Sequence, residues 1–227
     1  MGFIVYLIVI LIVPIYFQIK VMSTYRRYSK VRSTSGLTGK EVAEKILHSN
    51  GIYDVTVHRG EGELSDYYDP KTKQVVLSPH NYDNPSVAGT AVSAHEVGHA
   101  IQHAVGYKYL NFRSALFPLA SIGGNLSFFF IIGGVIISIL GMAFGQTVLL
   151  IGIGLFALSV LFQVVTLPVE FDASKRAMTI LTEDGYISGK ETRHAKKVLN
   201  AAAMTYVAAT AVAIAELLRL VLMYNNN

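Results

Sequence analysis

Residues 119–144, LASIGGNLSFFFIIGGVIISILGMAF, and residues 147–167, TVLLIGIGLFALSVLFQVVTL, decide the class of this chain. Neither stretch contains a charged residue, and each is long enough to cross the ~30 Å hydrocarbon core of a bilayer as a helix. Only Gly145 and Gln146 separate them, which leaves room for a turn and predicts a helical hairpin. Glycines recur through both (Gly123, Gly124, Gly133, Gly134, Gly141, Gly152, Gly154), and small residues let membrane helices pack closely.

Composition agrees. Of 227 residues 52% are apolar and 15% charged, against about 25% charged in soluble proteins. The mean hydropathy is +0.44. There is no cysteine, which excludes disulfides, thiolate metal sites and Cys nucleophiles, so a transition metal would have to bind through His and carboxylate. The net charge of +4 is modest, and no arginine-rich tract, aromatic RNA-binding motif or zinc finger argues for nucleic acid.

Outward from the hairpin, residues 3–17 (FIVYLIVILIVPIYF) form a second kind of apolar run, extended by Gln18 and Ile19. No charge precedes it and no Ala-x-Ala follows, so it reads as a retained anchor and not a cleaved signal, with Pro14 as a tolerated kink. At the other end, residues 198–224 are alanine-rich and apolar, interrupted by Glu216 and Arg219 three apart. They read as a fourth span, the alternative being an amphipathic helix packed on the catalytic part.

Between these lie two polar regions. In 20–118, Thr38 with Glu41 forms a capping box opening a helix that Asn50-Gly51 closes. Strands are expected at 52–59, 64–68 and 74–78, the last two joined around Asp69-Pro70. Asn84 before Pro85 is expected to cap a helix running to about Ala104. In 168–197, Pro168 is expected to break the preceding span, 169–181 to leave the membrane as an amphipathic helix, and Ser188 with Glu191 to form another capping box. Of the nineteen Lys and Arg, twelve fall between Lys20 and Arg113 and six between Lys175 and Lys197, with none in the hairpin turn. The positive-inside rule then puts both polar regions in the cytoplasm and the N-terminus outside. Because two spans separate them, these regions share one side and can build one site.

Within the first polar region, Ala94-His95-Glu96-Val97-Gly98-His99-Ala100 contains His-Glu-x-x-His. Residues four apart share a helix face, so His95 and His99 can reach one ion, with Glu96 beside it as general base. A bound zinc lowers the pKa of its water from 15.7 to about 7, and the glutamate can take that proton and later give it to a leaving amine. Zinc needs a third protein ligand. His103 extends the same face but stands two turns of about 5.4 Å from His95, too far to join it. The longer HExxHxxGxxH pattern is ruled out by Gln102 and Val105. Glu170, just past Pro168 on the predicted side, is the leading candidate. Asp172 lies about 200° round the helix from it and is the reserve.

The runs AHEVGHAIQHA and PVEFDASKRA, the LSDYYDPKTKQVVLS hairpin and the TYVAATAVAIAELLRL tail resemble the YugP-like membrane zinc metallopeptidases over nearly the whole chain. The resemblance implies a neutral zinc peptidase of a prokaryotic cell membrane. A more distant similarity, to HtpX and the CAAX-processing membrane proteases, pairs HExxH with E-x-x-A-D. Glu170 and Ala173 fit that pattern, while Ser174 stands where Asp would support a zinc-binding His, a role that Ser174 or Asp172 would have to fill.

The expected fold class is therefore mainly α and integral to the membrane. About four spans would carry a small α+β zincin-like cytoplasmic domain with a short hairpin. The parts are an anchor (1–19), a first catalytic part (20–118), the hairpin (119–167), a second catalytic part (168–197) and a C-terminal helix (198–224). Oxyanion-stabilising candidates are Arg176, Arg193, His194 and Tyr206, and the strands at 64–68 or 74–78 offer an edge for a peptide. His48, His58 and His80 read as surface residues. The leading function is a multi-pass zinc endopeptidase of the cell membrane acting on polypeptides at the cytoplasmic face, with the bilayer as its other partner. Its rivals are an intramembrane protease, disfavoured by the polar flanks of the His-Glu-x-x-His helix, and a non-proteolytic zinc scaffold, disfavoured by an intact Glu96.

Overall fold

The computed structural model describes residues 2–225 and, of the first ten, the side chains of Tyr6, Ile8 and Ile10. Long apolar stretches give long helices, and the polar segments between them give short elements: α1 (Gly2–Tyr28), α2 (Gly39–Ser49), β1 (Thr56–Arg59), β2 (Tyr67–Asp69), β3 (Gln74–Leu77), α3 (Pro79–Asp83), α4 (Val87–Ala104), α5 (Lys108–Ile139), α6 (Gly145–Glu183) and α7 (Lys190–Asn225). Two compact units divide them, one of Met1–Leu110 with Pro168–Thr205, the other of Asn111–Leu167 with Tyr206–Asn227.

In the first unit, α2 forms as the capping box requires. Thr38 Oγ1 accepts the Glu41 amide at 3.3 Å, and the Glu41 carboxylate accepts the Thr38 amide at 2.8 Å. Asn50 ends the helix, and Gly51 takes the left-handed conformation (φ 72°) that Gly adopts without Cβ strain. The sheet order is β1-β3-β2, with β1 parallel and β2 antiparallel to β3. The expected β2–β3 turn is closed by Asp69, whose carboxylate accepts from the Lys71 amide at 2.9 Å and the Thr72 hydroxyl at 2.7 Å. The core joins α2, β3, α4 and the later part of α6 through fully buried Val42, Ile46, Leu77, Val97, Ala177 and Leu181.

Several expectations are corrected. The strand at 74–78 is central, so it offers no edge to a peptide; β1 and β2 are the edges. Asn84 closes α3 instead of opening the next helix. The cap of α4 is Ser86, whose hydroxyl accepts the Gly89 amide at 3.0 Å. Ser86 also bridges Arg32, and this long-range pairing sets where the helix begins. Glu191 does not close a box with Ser188. Its buried carboxylate instead accepts from the Thr34 amide at 2.8 Å and the Thr34 hydroxyl at 2.6 Å. Pro168 does not break the third apolar stretch but lies inside α6. Membrane helices accommodate proline in this way.

In the second unit the hairpin turn falls at 140–144, a few residues before the expected one, with Gly141 left-handed (φ 75°). A Cβ at Gly152 would lie 2.7 Å from the Ile131 amide nitrogen, so α5 and α6 pack backbone to backbone there. Arg219 donates from Nε to Glu216 within α7 at 2.9 Å. Phe128, Phe129, Ile132 and Ile136 are exposed, an apolar surface that water would not tolerate over such an area. Among the described residues three helices, α5, α6 and α7, are long and apolar enough to cross a membrane. The expected first span, 1–19, starts on Met1, outside the described residues; from Gly2 the chain is one helix to Tyr28 with Pro14 inside it.

Candidate metal centre

The His-Glu-x-x-His segment lies in α4, which is anchored at its start by the Ser86 cap and by the Val87 amide donating to the Val31 carbonyl at 2.9 Å. His95 and His99, one turn apart, bring their rings edge to face with centroids 4.8 Å apart. The third group comes from α6. Glu170 Oε2 is 3.4 Å from His95 Nε2 and 3.7 Å from His99 Nε2, and the three ligand atoms lie within 4.8 Å of one another.

These separations test whether zinc would fit. Tetrahedral bonds of 2.0–2.1 Å put neighbouring ligand atoms about 3.3 Å apart. The Glu170 oxygen, at 3.4 and 3.7 Å from the two imidazole nitrogens, already stands within tenths of an ångström of that spacing, and all three ligand atoms lie within 4.8 Å, so the set closes round such an ion by side-chain adjustment. Two imidazoles and a carboxylate also leave the fourth position for water.

Close approach of the two helices makes this possible. A Cβ on Gly98 would stand 2.8 Å from the Ala173 carbonyl oxygen and 3.2 Å from its Cα. Gly98 sits beside His99, and Ala173 lies one turn from Glu170. The absent side chain is what lets the α6 carboxylate reach the α4 imidazoles.

A polar network sets the imidazoles. Fully buried Gln102 donates from Nε2 to the Val169 carbonyl at 2.8 Å and to Asp172 at 2.9 Å. Both partners are acceptors only, so the amide orientation is determined and Oε1 faces His99 Nδ1 at 3.0 Å. That oxygen can only accept. Nδ1 must therefore carry the proton, which frees Nε2 to face Glu170 and an ion. His95 Nδ1 lies 3.2 Å from Ser174 Oγ. Asp172 is turned away from the ligand atoms, accepting from Gln102 and from Arg176 Nε at 2.6 Å.

Electrostatics follow from burial. Burial pushes the Glu96 carboxyl above its usual range, with His95 and His99 opposing. For His99, burial pushes the imidazolium down, but its bond to Glu170, the charges of Glu170 and Glu96 and its bond to Gln102 together raise it by more.

Other expected residues take quieter positions. His103 Nδ1 meets the Tyr68 hydroxyl at 2.8 Å, tying edge strand β2 to α4 one turn past His99. His194 stacks on Tyr28 with centroids 4.6 Å apart, Arg193 is exposed, and Tyr206 belongs to the second unit. Arg176 packs 5.9 Å from the Tyr107 ring. His48 stacks on Tyr53, His58 meets the Thr56 hydroxyl at 2.8 Å and His80 the Ser29 carbonyl at 3.1 Å. Sequence reasoning treated Gln102 only as a polar flank. Its position three residues after His99, one turn on along the same face, was the available signal.

Comparison with known proteins shows the family. A family model described as “Putative neutral zinc metallopeptidase” matches residues 3–225. The chain is 43% identical over 211 residues, 92% of its own length and 90% of the relative's, to the Bacillus subtilis (strain 168) protein named “Putative membrane protease YugP”. No solved structure matches it. With the match running through both polar regions and the apolar helices between them, the chain belongs to this zinc metallopeptidase family.

Proposed function

We propose that the protein is a multi-pass zinc endopeptidase of the cell membrane that hydrolyses peptide bonds of membrane or membrane-adjacent polypeptides at the cytoplasmic face. The observation that carries this reading is the convergence of His95 Nε2, His99 Nε2 and a Glu170 oxygen within 4.8 Å, beside the buried Glu96. In this reading those three are the metal ligands. A zinc ion held by them would supply a water of near-neutral pKa and polarise the scissile carbonyl. Glu96 takes the proton from the attacking water and delivers it to the leaving amine. Its burial raises its proton affinity toward the working range of a general base. Gln102 holds His99 in the metal-binding tautomer, and the Ser174 hydroxyl, 3.2 Å from His95 Nδ1, orients the other ring.

A peptide has one natural place to lie. β2 is an edge strand, and the Tyr68–His103 contact fixes it to the metal helix, so a substrate pairing with its free side is held beside the site. The cytoplasmic assignment rests on charge, since Lys and Arg crowd the two polar regions and avoid the hairpin turn. It requires α1 to be a fourth span with its start outside.

The test is cleavage of casein, or of the chain itself, by purified full-length protein. Glu96→Gln is expected to keep zinc and to lose cleavage by at least about a hundredfold, in line with loss of a general base. Equal turnover in that variant rejects the reading, and zinc retention without cleavage in both proteins favours a scaffold.

A further inference from the structure

A cavity of about 500 Å³ lies in the first unit between α1 and α7. Its walls come from one face of each helix. Lys20, Thr24 and Arg27 stand at i, i+4 and i+7 on α1; Lys197, Asn200 and Met204 stand at i, i+3 and i+7 on α7. Three cations line it and no carboxylate does. Among the described residues none of the three takes part in an ion pair, although other Lys and Arg side chains do, Arg26, Arg59 and Arg176 among them. Two of them lie over rings instead. The Lys20 ammonium lies 5.7 Å from the Tyr16 ring centroid and 5.9 Å from that of Phe17, and the Arg27 guanidinium lies 5.7 Å from that of Tyr28.

Three exposed cations around one hollow repel one another unless an anion joins them. The cavity is far roomier than a free phosphate needs, and Met204 adds apolar lining. Its place in the sequence narrows the source. On α1 the apolar run ends at Ile19, immediately before Lys20; on α7 the apolar run opens at Val198, immediately after Lys197. Both helices pass from apolar to charged at the level of the cavity, where lipid headgroups lie. Basic pockets between helices at this depth suit anionic headgroups.

We propose that this cavity is a binding site for the phosphate of an anionic phospholipid, held by Lys20, Arg27 and Lys197. The glycerol and upper acyl chain of the lipid then lie along the apolar run of α1 that precedes Lys20. The site lies outside the metal centre, and lipid binding there does not depend on peptidase activity.

Native mass spectrometry of the full chain released from detergent reads this directly. Phosphatidylglycerol is expected to persist as a bound adduct at least about tenfold more than phosphatidylcholine, which carries the same phosphate with its charge neutralised. Inorganic phosphate at equal concentration is expected neither to bind nor to compete. Lys20→Gln/Arg27→Gln/Lys197→Gln together should remove the excess, while Lys45→Gln/Lys71→Gln/Lys190→Gln, which takes the same charge from exposed positions elsewhere, should keep it. Zinc content is expected to be unchanged in both. Four results would overturn the site: equal retention of the two lipids, inorganic phosphate binding as tightly as phosphatidylglycerol, adducts surviving the cavity substitutions, or the control substitutions removing as much. The lipid comparison on the unsubstituted chain stands whether or not the variants fold.

Discussion

Gly98 of α4 and Ala173 of α6 meet so closely that a single added methyl would stand 2.8 Å from a backbone oxygen. Backbone cannot rotate away as a side-chain tip can, so Gly98→Ala must push the helices apart at the level of the ligands. The expected cost is about 1–3 kcal/mol in stability. The more telling effect is on metal content, because Glu170 rides on α6 while both imidazoles ride on α4. Zinc per chain, measured by elemental analysis after dialysis against a weak chelator, should fall well below that of the unsubstituted protein. Gly133→Ala, where nothing lies within 4 Å, is the matched control and should leave both quantities unchanged.

Gln102 offers a test of the imidazole network. Gln102→Ala strips a partner from His99 Nδ1 and leaves the Val169 carbonyl and Asp172 each short of a donor. Removing such support typically weakens metal affinity by about 10–100-fold. Titration against a competing zinc chelator should show a loss in that range. Gln102→Glu, which keeps an acceptor for Nδ1 but sets a carboxylate against Asp172, should not rescue it. Unchanged affinity in both variants would remove Gln102 from the support of the site.

Alkaline stability should report on the packing of α1. Tyr25 is 3% exposed and donates to Asn81 at 2.9 Å, while Asn81 in turn donates to Asp66 at 3.0 Å. Burial, reinforced by the Asp66 charge, pushes the Tyr25 hydroxyl up to about 12 from its ordinary 10.0. Tyr68 is likewise raised to about 12, by burial and then by Asp54 and Asp69. A phenol whose pKa is higher folded than unfolded contributes stability that is fully present below the unfolded value. That stability is lost as the pH climbs through the folded one. Midpoints of thermal unfolding should therefore decline between pH 10 and 12. In Tyr25→Phe the decline should be shallower, from a lower starting point, because the bond to Asn81 is gone. A parallel decline would show that Tyr25 does not titrate in this way.

What could be read from the sequence was local. The hairpin helices follow from uncharged length, the Thr38 cap from its spacing to Glu41, and the imidazole pair from the helical period. What could not be read was decided by partners far along the chain. Glu191 has the spacing of a capping box, yet Thr34, 157 residues earlier, takes its carboxylate. Asn84 before Pro85 has the look of a cap, yet Ser86, bridged to Arg32, takes that place. The hairpin joining β2 to β3 is local, but the parallel pairing that puts β3 in the centre is not. Pro168 is a different kind of miss. Proline breaks helices chiefly where water competes for the freed carbonyl, and α6 continues through it beside an apolar stretch, carrying Glu170 on the same rod.

That continuity makes the choice between Glu170 and Asp172 testable. Both lie just past Pro168, and spacing alone left the second in reserve. Glu170 faces both imidazoles, whereas Asp172 faces Gln102 and Arg176. Glu170→Ala removes one of the three proposed ligand groups and should take zinc from about one per chain to near none at micromolar free metal. Asp172→Ala removes support one bond further out, so zinc should still saturate the chain, with affinity reduced by about tenfold. If Asp172→Ala emptied the site while Glu170→Ala left it filled, the ligand would have to be reassigned. The α4–α6 approach at Gly98 would then hold a different geometry from the one that sets Glu170 Oε2 3.4 Å from His95.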